Sequence, residues 1–214
     1  DPRNVLAKVW DNFSKLKLYP RVAFELEFYL IKRRNKLDEN PTPPISKRNK
    51  RQVEGTQVYG MSELDDFYDF LEEINKFCKI QNIPASTASS EFAPGQFEIN
   101  LNSTTNLLKA ADDSVLLRRL VKETAIKHGY EATFLSKPYI GEAGSGMHLH
   151  LSLYDKNKKN VFSKNKLKNK YLLHAIGGLQ KTMYECMAIF APNINSYRRF
   201  LPDQFVPVNS SWGP

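Results

Sequence analysis

Apolar residues recur at helical spacing in four stretches of the chain and alternate with polar ones in three shorter stretches, a pattern that predicts most of the secondary structure. Asn4 to Leu18 places Val5, Leu6, Val9, Phe13 and Leu16 along one side, so a surface helix with one buried stripe is expected, stopped by Pro20. Ser62 can cap a second helix running to about Gln81, with Leu64, Phe67, Leu71, Ile74 and Cys78 on its core side. A third spans Asn106 to His128 and is closed by Gly129, with Leu107, Leu116, Leu117, Leu120 and Val121 as its buried residues. Lys168 to Phe190 forms the fourth, ends at Pro192 and carries His174 as a helix-surface histidine.

The alternating stretches read as strands. Val22 to Ile31 sets Val22, Phe24, Leu26, Phe28 and Leu30 against Glu25 and Glu27. Gln96 to Leu101 sets Phe97, Ile99 and Leu101 against Gln96, Glu98 and Asn100. Gly144 to Leu153 sets Met147, Leu149, Leu151 and Leu153 against His148, His150 and Ser152. Thr87 to Glu91 and Ala132 to Leu135 are shorter extended pieces, and Ala93-Pro94-Gly95 is turn chemistry. Residues 32–57 are basic and broken by Pro41, Pro43 and Pro44, which predicts a mobile loop. Asp155 to Lys170 reads as a solvated loop, and Asn193 to Pro214 as irregular structure near a ligand or a short strand. The expected class is α+β: an antiparallel sheet covered by amphipathic helices on its apolar side.

Composition adds bounds rather than identity. With 214 residues and 41% hydrophobic content, one large or two small globular domains can bury an ordinary core. No apolar run reaches membrane-spanning length and no leader pattern opens the chain, so a cytoplasmic protein with no membrane partner is expected. Cys78 and Cys186 stand far apart in apolar helical surroundings and read as buried free thiols. The net charge of +8 is concentrated in loop-like runs. The run at 155–170 almost lacks stacking aromatics, which argues against nucleic acid.

Three strands each present acidic or imidazole groups opposite their apolar side: Glu25 and Glu27, then Glu98 with Glu91 nearby, then His148 and His150. Same-face neighbours on a strand stand roughly 6.5–7 Å apart. Carboxylates at that range repel one another unless a cation intervenes, and oxygen donors with one or two imidazoles favour Mg²⁺ or Mn²⁺. Four glutamates leave room for two ions. Such cations commonly bridge nucleotide phosphates, with Arg198 or Arg199 neutralising charge, which makes ligase or kinase-like chemistry one hypothesis. A hydrolase with a metal-bound water and a glutamate base uses the same residues. A basic binding protein leaves the inward glutamates unexplained, and a solvent-facing strand with incidental histidines remains the plainest alternative for His148 and His150.

Four motifs in order then resemble the catalytic domain of the glutamine synthetase family, from about Val22 onward: Phe24-Glu25-Leu26-Glu27-Phe28; Glu91 through Pro94-Gly95-Gln96-Phe97-Glu98; Gly144-Ser145-Gly146-Met147-His148-Leu149-His150-Leu151-Ser152-Leu153; and Ala191-Pro192-Asn193 with Ser196-Tyr197-Arg198-Arg199. The resemblance implies a curved, half-barrel-like antiparallel sheet backed by helices, holding two Mg²⁺ or Mn²⁺ ions between ATP and glutamate. By position, Glu27, Glu91 and Glu98 hold the ion beside glutamate, and Glu25 and His148 the ion beside ATP. His150 and Ser152 fall on the nucleotide side, Gly144 contacts glutamate through its backbone, and Arg199 pairs with a glutamate carboxylate or the developing phosphate. The implied reaction phosphorylates the glutamate side chain with ATP, after which an amine displaces phosphate to leave an amide.

Two departures bear on that amine. The flap position that holds a glutamate in ammonia-using members is Phe205, and the usual Asn before the glycine is Ala143. Together with Ile176-Gly177-Gly178-Leu179-Gln180, the Ser196-Tyr197-Arg198-Arg199 form looks more like the γ-glutamylpolyamine synthetase branch. An apolar side chain suits the methylene body of a polyamine better than an ammonium ion. The resemblance further implies that residues 1–214 are part of a catalytic domain, without the family's N-terminal β domain and without the segment expected after Ser211-Trp212-Gly213-Pro214. Family sites are completed by a neighbour in stacked homo-oligomeric rings, so this polypeptide alone is expected to be inactive.

Overall fold

Fourteen residues of extended backbone, Tyr19–Lys32, form the strand on which the sheet is built. The computed structural model describes residues 1–36, 38–163, 168–201, 206 and 212. In chain order the elements are α1 (Pro2–Lys15), β1 (Tyr19–Lys32), α2 (Met61–Asp66), α3 (Tyr68–Ile80), β2 (Ala85–Ser90), β3 (Gln96–Leu101), α4 (Leu107–Lys127), β4 (Tyr130–Thr133), β5 (Met147–Tyr154), α5 (Lys170–Phe190) and α6 (Ile194–Tyr197). The strands follow the order β2-β3-β1-β4, and β5 also pairs with β1. The β1–β3, β1–β4 and β2–β3 ladders are all antiparallel. The mixed helix and antiparallel-sheet class expected from the pattern is therefore present.

The chain divides into two units. One comprises Phe24–Asn102 and Ala111–Leu149, and the other Asp1–Ala23, Ser103–Ala110 and His150–Pro214. The core of the first is the layer between sheet and helices. Leu26, Phe28 and Leu30 of β1 and Phe97, Ile99 and Leu101 of β3 pack with Phe70, Ile74 and Cys78 of α3 and Leu117, Leu120, Val121 and Ala125 of α4. Phe28 sits at its centre, its ring 5.5 to 6.3 Å from those of Phe134, Phe97 and Phe70. Glu73 of α3 accepts from Lys127 and meets His128 Nε2 at 2.7 Å, tying α3 to the end of α4.

The segment between β1 and α2 is fastened to this body. Tyr130 Oη donates to the Ile45 carbonyl at 3.0 Å, Lys32 N to Thr42 O at 3.0 Å, and the Gln57 amide to Gln96 O at 2.9 Å. At the turn before β3, Gly95 has φ +73°, and a Cβ there would stand 2.6 Å from the Leu30 carbonyl. Only glycine fits that combination of backbone and neighbour.

Several expectations are corrected. The helix expected from Ser62 is two helices broken at Phe67, and its N-cap is Gly60 while the Ser62 hydroxyl bonds Glu63. Phe67 and Phe70 are buried together, whereas Leu64 and Leu71 are only partly buried. Leu116 is 43% exposed, one residue off the stripe that Leu117 and Val121 share. β4 starts at Tyr130 rather than Ala132 because Lys32 and Ile31 of β1 recruit Tyr130 and Glu131 as partners. The 193–197 segment begins with a short helix capped by Asn193.

In α1, none of the expected stripe is buried, with Val5 61% and Leu16 69% exposed. The apolar side of β5 is likewise open at Met147, Leu149 and Leu151, and only Leu153 is buried. Periodicity selects the element, but burial needs an opposing surface, and these sides meet one only in part: Leu6 and Phe13 of α1 are half-buried and Leu153 of β5 is buried. Cys78 is buried, with its thiol pushed up to about 11 by burial, while Cys186 is half-buried. His174 is exposed on α5, as read. No described helix is long and apolar enough to cross a membrane.

Candidate functional site

Antiparallel register places Glu27 of β1 opposite Glu98 of β3, and Glu25 opposite Asn100. These residues occupy the face turned away from Leu26, Phe28, Phe97 and Ile99. His148, near the start of β5, completes the group: its Nδ1 lies 3.1 Å from Glu25 Oε2 and 3.7 Å from Glu27 Oε1. One ligand atom each from Glu25, Glu98 and His148 all fall within 4.8 Å of one another.

Glu27 is the most enclosed member, at 9% exposure. Its Oε2 accepts from the Gly146 backbone N–H at 3.0 Å and from Gln96 Nε2 at 3.1 Å. Its own N–H donates to Gly146 O at 3.1 Å. A Cβ on residue 146 would sit 2.9 Å from His148 Nε2 and 3.1 Å from Glu27 Oε1, so a glycine lets the backbone come this close.

Negative charge accumulates across this face. Burial, then the carboxylates of Glu27 and Glu98, push the Glu91 carboxyl up to about 7. Glu98 is raised as well, first by burial and also by Glu25 and Glu27, against the opposing hydrogen bond from Asn100 Nδ2 at 3.0 Å. Carboxylates held where their ionised forms are disfavoured are stabilised by a divalent cation. Oxygen donors with one imidazole are the set that Mg²⁺ and Mn²⁺ accept. The residues present therefore fit such an ion.

Of the residues singled out from the sequence, Glu25, Glu27, Glu91, Glu98 and His148 come together in the first unit. Gly144 joins them, its carbonyl accepting from Gln96 Nε2 at 3.1 Å. His150, Ser152 and Arg199 belong to the second unit. There His150 is exposed, Ser152 is half-buried on β5, and Arg199 is half-buried just after α6, its N–H donating to Ser196 O at 3.2 Å. Phe205 lies outside the described residues, and Ala143 accepts a hydrogen bond from Tyr29 Oη.

Gln96, Gly146, Tyr29 and Lys137 have parts in this region that the hydropathy pattern does not single out. Gln96 is 1% exposed and Lys137 1%, the Lys137 ammonium donating to the Glu142 carbonyl. For Gln96 there was a signal, a polar residue in a face position two before a glutamate on the same strand. Lys137 gave none, because its partner is fixed by the loop and not by any period.

Comparison with known proteins accounts for the whole chain. It belongs to the glutamine synthetase family: the family model described as glutamine synthetase, catalytic domain, matches residues 1–214. The gamma-glutamylputrescine synthetase PuuA of Escherichia coli (strain K12) is 43% identical over 214 residues, covering 100% of this chain and 45% of that protein. Glutamate–isopropylamine ligase of a Pseudomonas species is 34% identical over 221 residues, covering 99% of this chain and 46% of that protein. The chain thus spans under half the length of these curated relatives. The cryo-EM structure of Plasmodium falciparum glutamine synthetase superposes with a TM-score of 0.82 at 22% identity, over 94% of this chain and 44% of that one, which is a likeness of fold.

Proposed function

We propose that this chain carries part of the active site of an ATP-dependent ligase that joins an amine larger than ammonia to the γ-carboxylate of glutamate. The observation that carries the reading is the convergence of Glu25, Glu98 and His148 donor atoms within 4.8 Å, with Glu27 alongside. Membership in the family supplies the reaction class. The two curated relatives described above are named for putrescine and isopropylamine, which supports an organic amine over ammonia.

In this reading Glu27, Glu91 and Glu98 hold a divalent cation beside glutamate, and Glu25 and His148 one beside ATP. Mg²⁺ or Mn²⁺ bound there neutralises phosphate charge and favours transfer of the terminal phosphoryl group. The glycine-rich segment ending at Gly146 presents backbone groups, and the Gly144 backbone contacts glutamate. Arg199 balances the charge of a glutamate carboxylate or of the developing phosphate, with His150 and Ser152 on the nucleotide side. The carboxylate oxygen of glutamate attacks phosphorus to give a γ-glutamyl phosphate and ADP. The amine nitrogen then attacks the acyl carbon, phosphate leaves, and the amine loses a proton. Stacked homo-oligomeric rings in a cytoplasmic setting are part of the same proposal.

The test is phosphate release by the protein carrying these residues, with ATP, Mg²⁺ and glutamate, comparing putrescine, isopropylamine and ammonia, and with the γ-glutamyl product weighed by mass spectrometry. An organic amine is expected to be the preferred acceptor. Ammonia as best acceptor with polyamines inert would overturn the choice of amine, and no glutamate-dependent ADP release would overturn the reaction class.

A further inference from the structure

Beside the carboxylate cluster lies a buried amide with no charge to offer. Gln96 is 1% exposed, and each part of its amide is engaged. Nε2 donates to Glu27 Oε2 and to the Gly144 carbonyl, both at 3.1 Å, and Oε1 accepts from the Ala93 N–H at 3.1 Å. Its polarity is dictated by these partners. Turning the amide over would set its oxygen against a carboxylate and a carbonyl, and its NH₂ against an N–H donor. The backbone around it is equally fixed, since Gln57, itself 4% exposed, donates to Gln96 O at 2.9 Å and accepts from Gly95 N at 3.2 Å.

The consequence falls on Glu27. With Gly146 N–H and Gln96 Nε2 both on Oε2, the carboxylate cannot rotate without losing two buried hydrogen bonds. Its other oxygen, Oε1, is the one turned toward His148 Nδ1, 3.7 Å away. The same amide hydrogen-bonds the backbone at Gly144, and Gly146 is bound by the same carboxylate oxygen. Strand β1, strand β3 and the glycine segment thus meet at one amide.

We infer that Gln96 is a positioning residue that makes Glu27 present Oε1 alone to a cation and ties that cation to the order of the 141–146 segment. This rests on the cation-binding part of the function proposed above. A cation that holds Oε1 stiffens Glu27, and through Oε2 and the Gln96 amide it stiffens the segment that carries Gly144 and Gly146. By reciprocity, whatever orders that segment tightens cation binding by the same factor. The chemistry requires a neutral amide: methionine has the volume but no donors, and glutamate has the shape but the wrong polarity.

The experiment uses Mn²⁺ alone as probe, on the 214-residue chain and on Gln96→Met. Affinity is read by titration, the coordination of Mn²⁺ by its electron paramagnetic resonance spectrum, and the order of 141–146 by peptide-level hydrogen exchange. In the unaltered chain Mn²⁺ is expected to slow exchange of 141–146 about tenfold, within the range typical of coupled sites. In Gln96→Met, Mn²⁺ is expected to bind more weakly, with an altered spectrum and with no slowing of exchange in 141–146. A melting temperature that falls while the Mn²⁺-induced slowing and the spectrum stay the same would make Gln96 a packing residue only and overturn the inference, leaving the cation site standing. Failure of the unaltered chain to bind Mn²⁺ would overturn both. If Gln96→Met does not fold, Gln96→Asn, whose amide is one carbon too short to reach both acceptors, is read by the same two criteria.

Discussion

One face of β1 changes chemistry halfway along. At Glu25 and Glu27 it is acidic and turned toward His148, whereas at Tyr29 and Ile31, the next two residues on the same face, it is fully buried with Ala93 and packed by Tyr139 and Ala143. The Tyr29 and Tyr139 rings meet edge to face at 5.2 Å, and burial raises both phenols well above their ordinary range. Both halves grip the same segment. Glu27 accepts from Gly146 N–H in one, and Tyr29 Oη donates to Ala143 O in the other. Alternation along a strand therefore decides which residues share a face but not what the face does. That is set by what crosses over it, a loop whose Gly146 N–H reaches the carboxylate at Glu27 and an aromatic ring at Tyr29.

The comparison breaks most completely from behind. Phe28 lies between Glu27 and Tyr29 on the opposite face, 0% exposed among three other phenylalanines. Phe28→Ala is expected to destabilise the fold by about 3–5 kcal/mol. Both halves of the opposite face should fail together, seen as coincident loss of Mn²⁺ binding and of near-ultraviolet circular dichroism in urea. Separate transitions would mean that the two halves do not share one support.

Glu27→Gln separates the halves. It removes a charge from the acidic half while keeping an oxygen for Gly146, so the melting temperature should move little. Mn²⁺ affinity should fall at least about tenfold, or ~1.4 kcal/mol. An unchanged affinity would mean that Glu27 is a buried structural carboxylate. Tyr29→Phe is the mirror experiment. Loss of its hydrogen bond to Ala143 should cost about 1 kcal/mol of stability and, because Ala143 lies in the segment coupled to the cation, lower Mn²⁺ affinity by no more than about fivefold, less than Glu27→Gln does. A loss as large as that of Glu27→Gln would show that the aromatic half holds the glycine segment for the acidic half.

Much of this was legible beforehand, for reasons that differ by residue. β3 runs from Gln96 to Leu101 as expected, because its apolar side meets α3 and its polar side meets β1's carboxylates, so both faces obey the period. The acidic half of the site was readable in the same way, from Glu25, Glu27 and Glu98 at alternate positions. The hydrogen bonds that orient them were not. Gly146 and Glu27 are 119 residues apart, and Gln96 and Glu27 are 69 apart, separations on which no local pattern bears. The break at Phe67 was hidden because Leu64, Phe67, Leu71, Ile74 and Cys78 keep helical spacing across it. In β5 the period was right and the burial wrong, since an alternating strand looks the same whether or not anything covers its apolar side.

The smallest effect sharpens the comparison at the far end of β1, where the buried half runs into solvent. Glu131 of β4, the register partner of Ile31, accepts from Arg34 N at 2.8 Å, Nε at 3.1 Å and Nη2 at 2.8 Å, with both side chains about one quarter exposed. Burial alone would raise the Glu131 carboxyl, but the Arg34 side chain and backbone hydrogen bonds bring it below the ordinary range. A folded-state pKa below the unfolded one means that the pair stabilises the protein above the usual carboxylate value near ~4 and loses that contribution as pH falls through the lower folded value. Glu131→Gln should therefore lower stability by about 1 kcal/mol or less at pH 7, and the gap between the two proteins should close as pH is taken below ~4. Urea midpoints measured from pH 7 to pH 3 give both values. A gap that persists undiminished at pH 3 would mean that the end of β1 is held by the strand ladder and not by this ion pair.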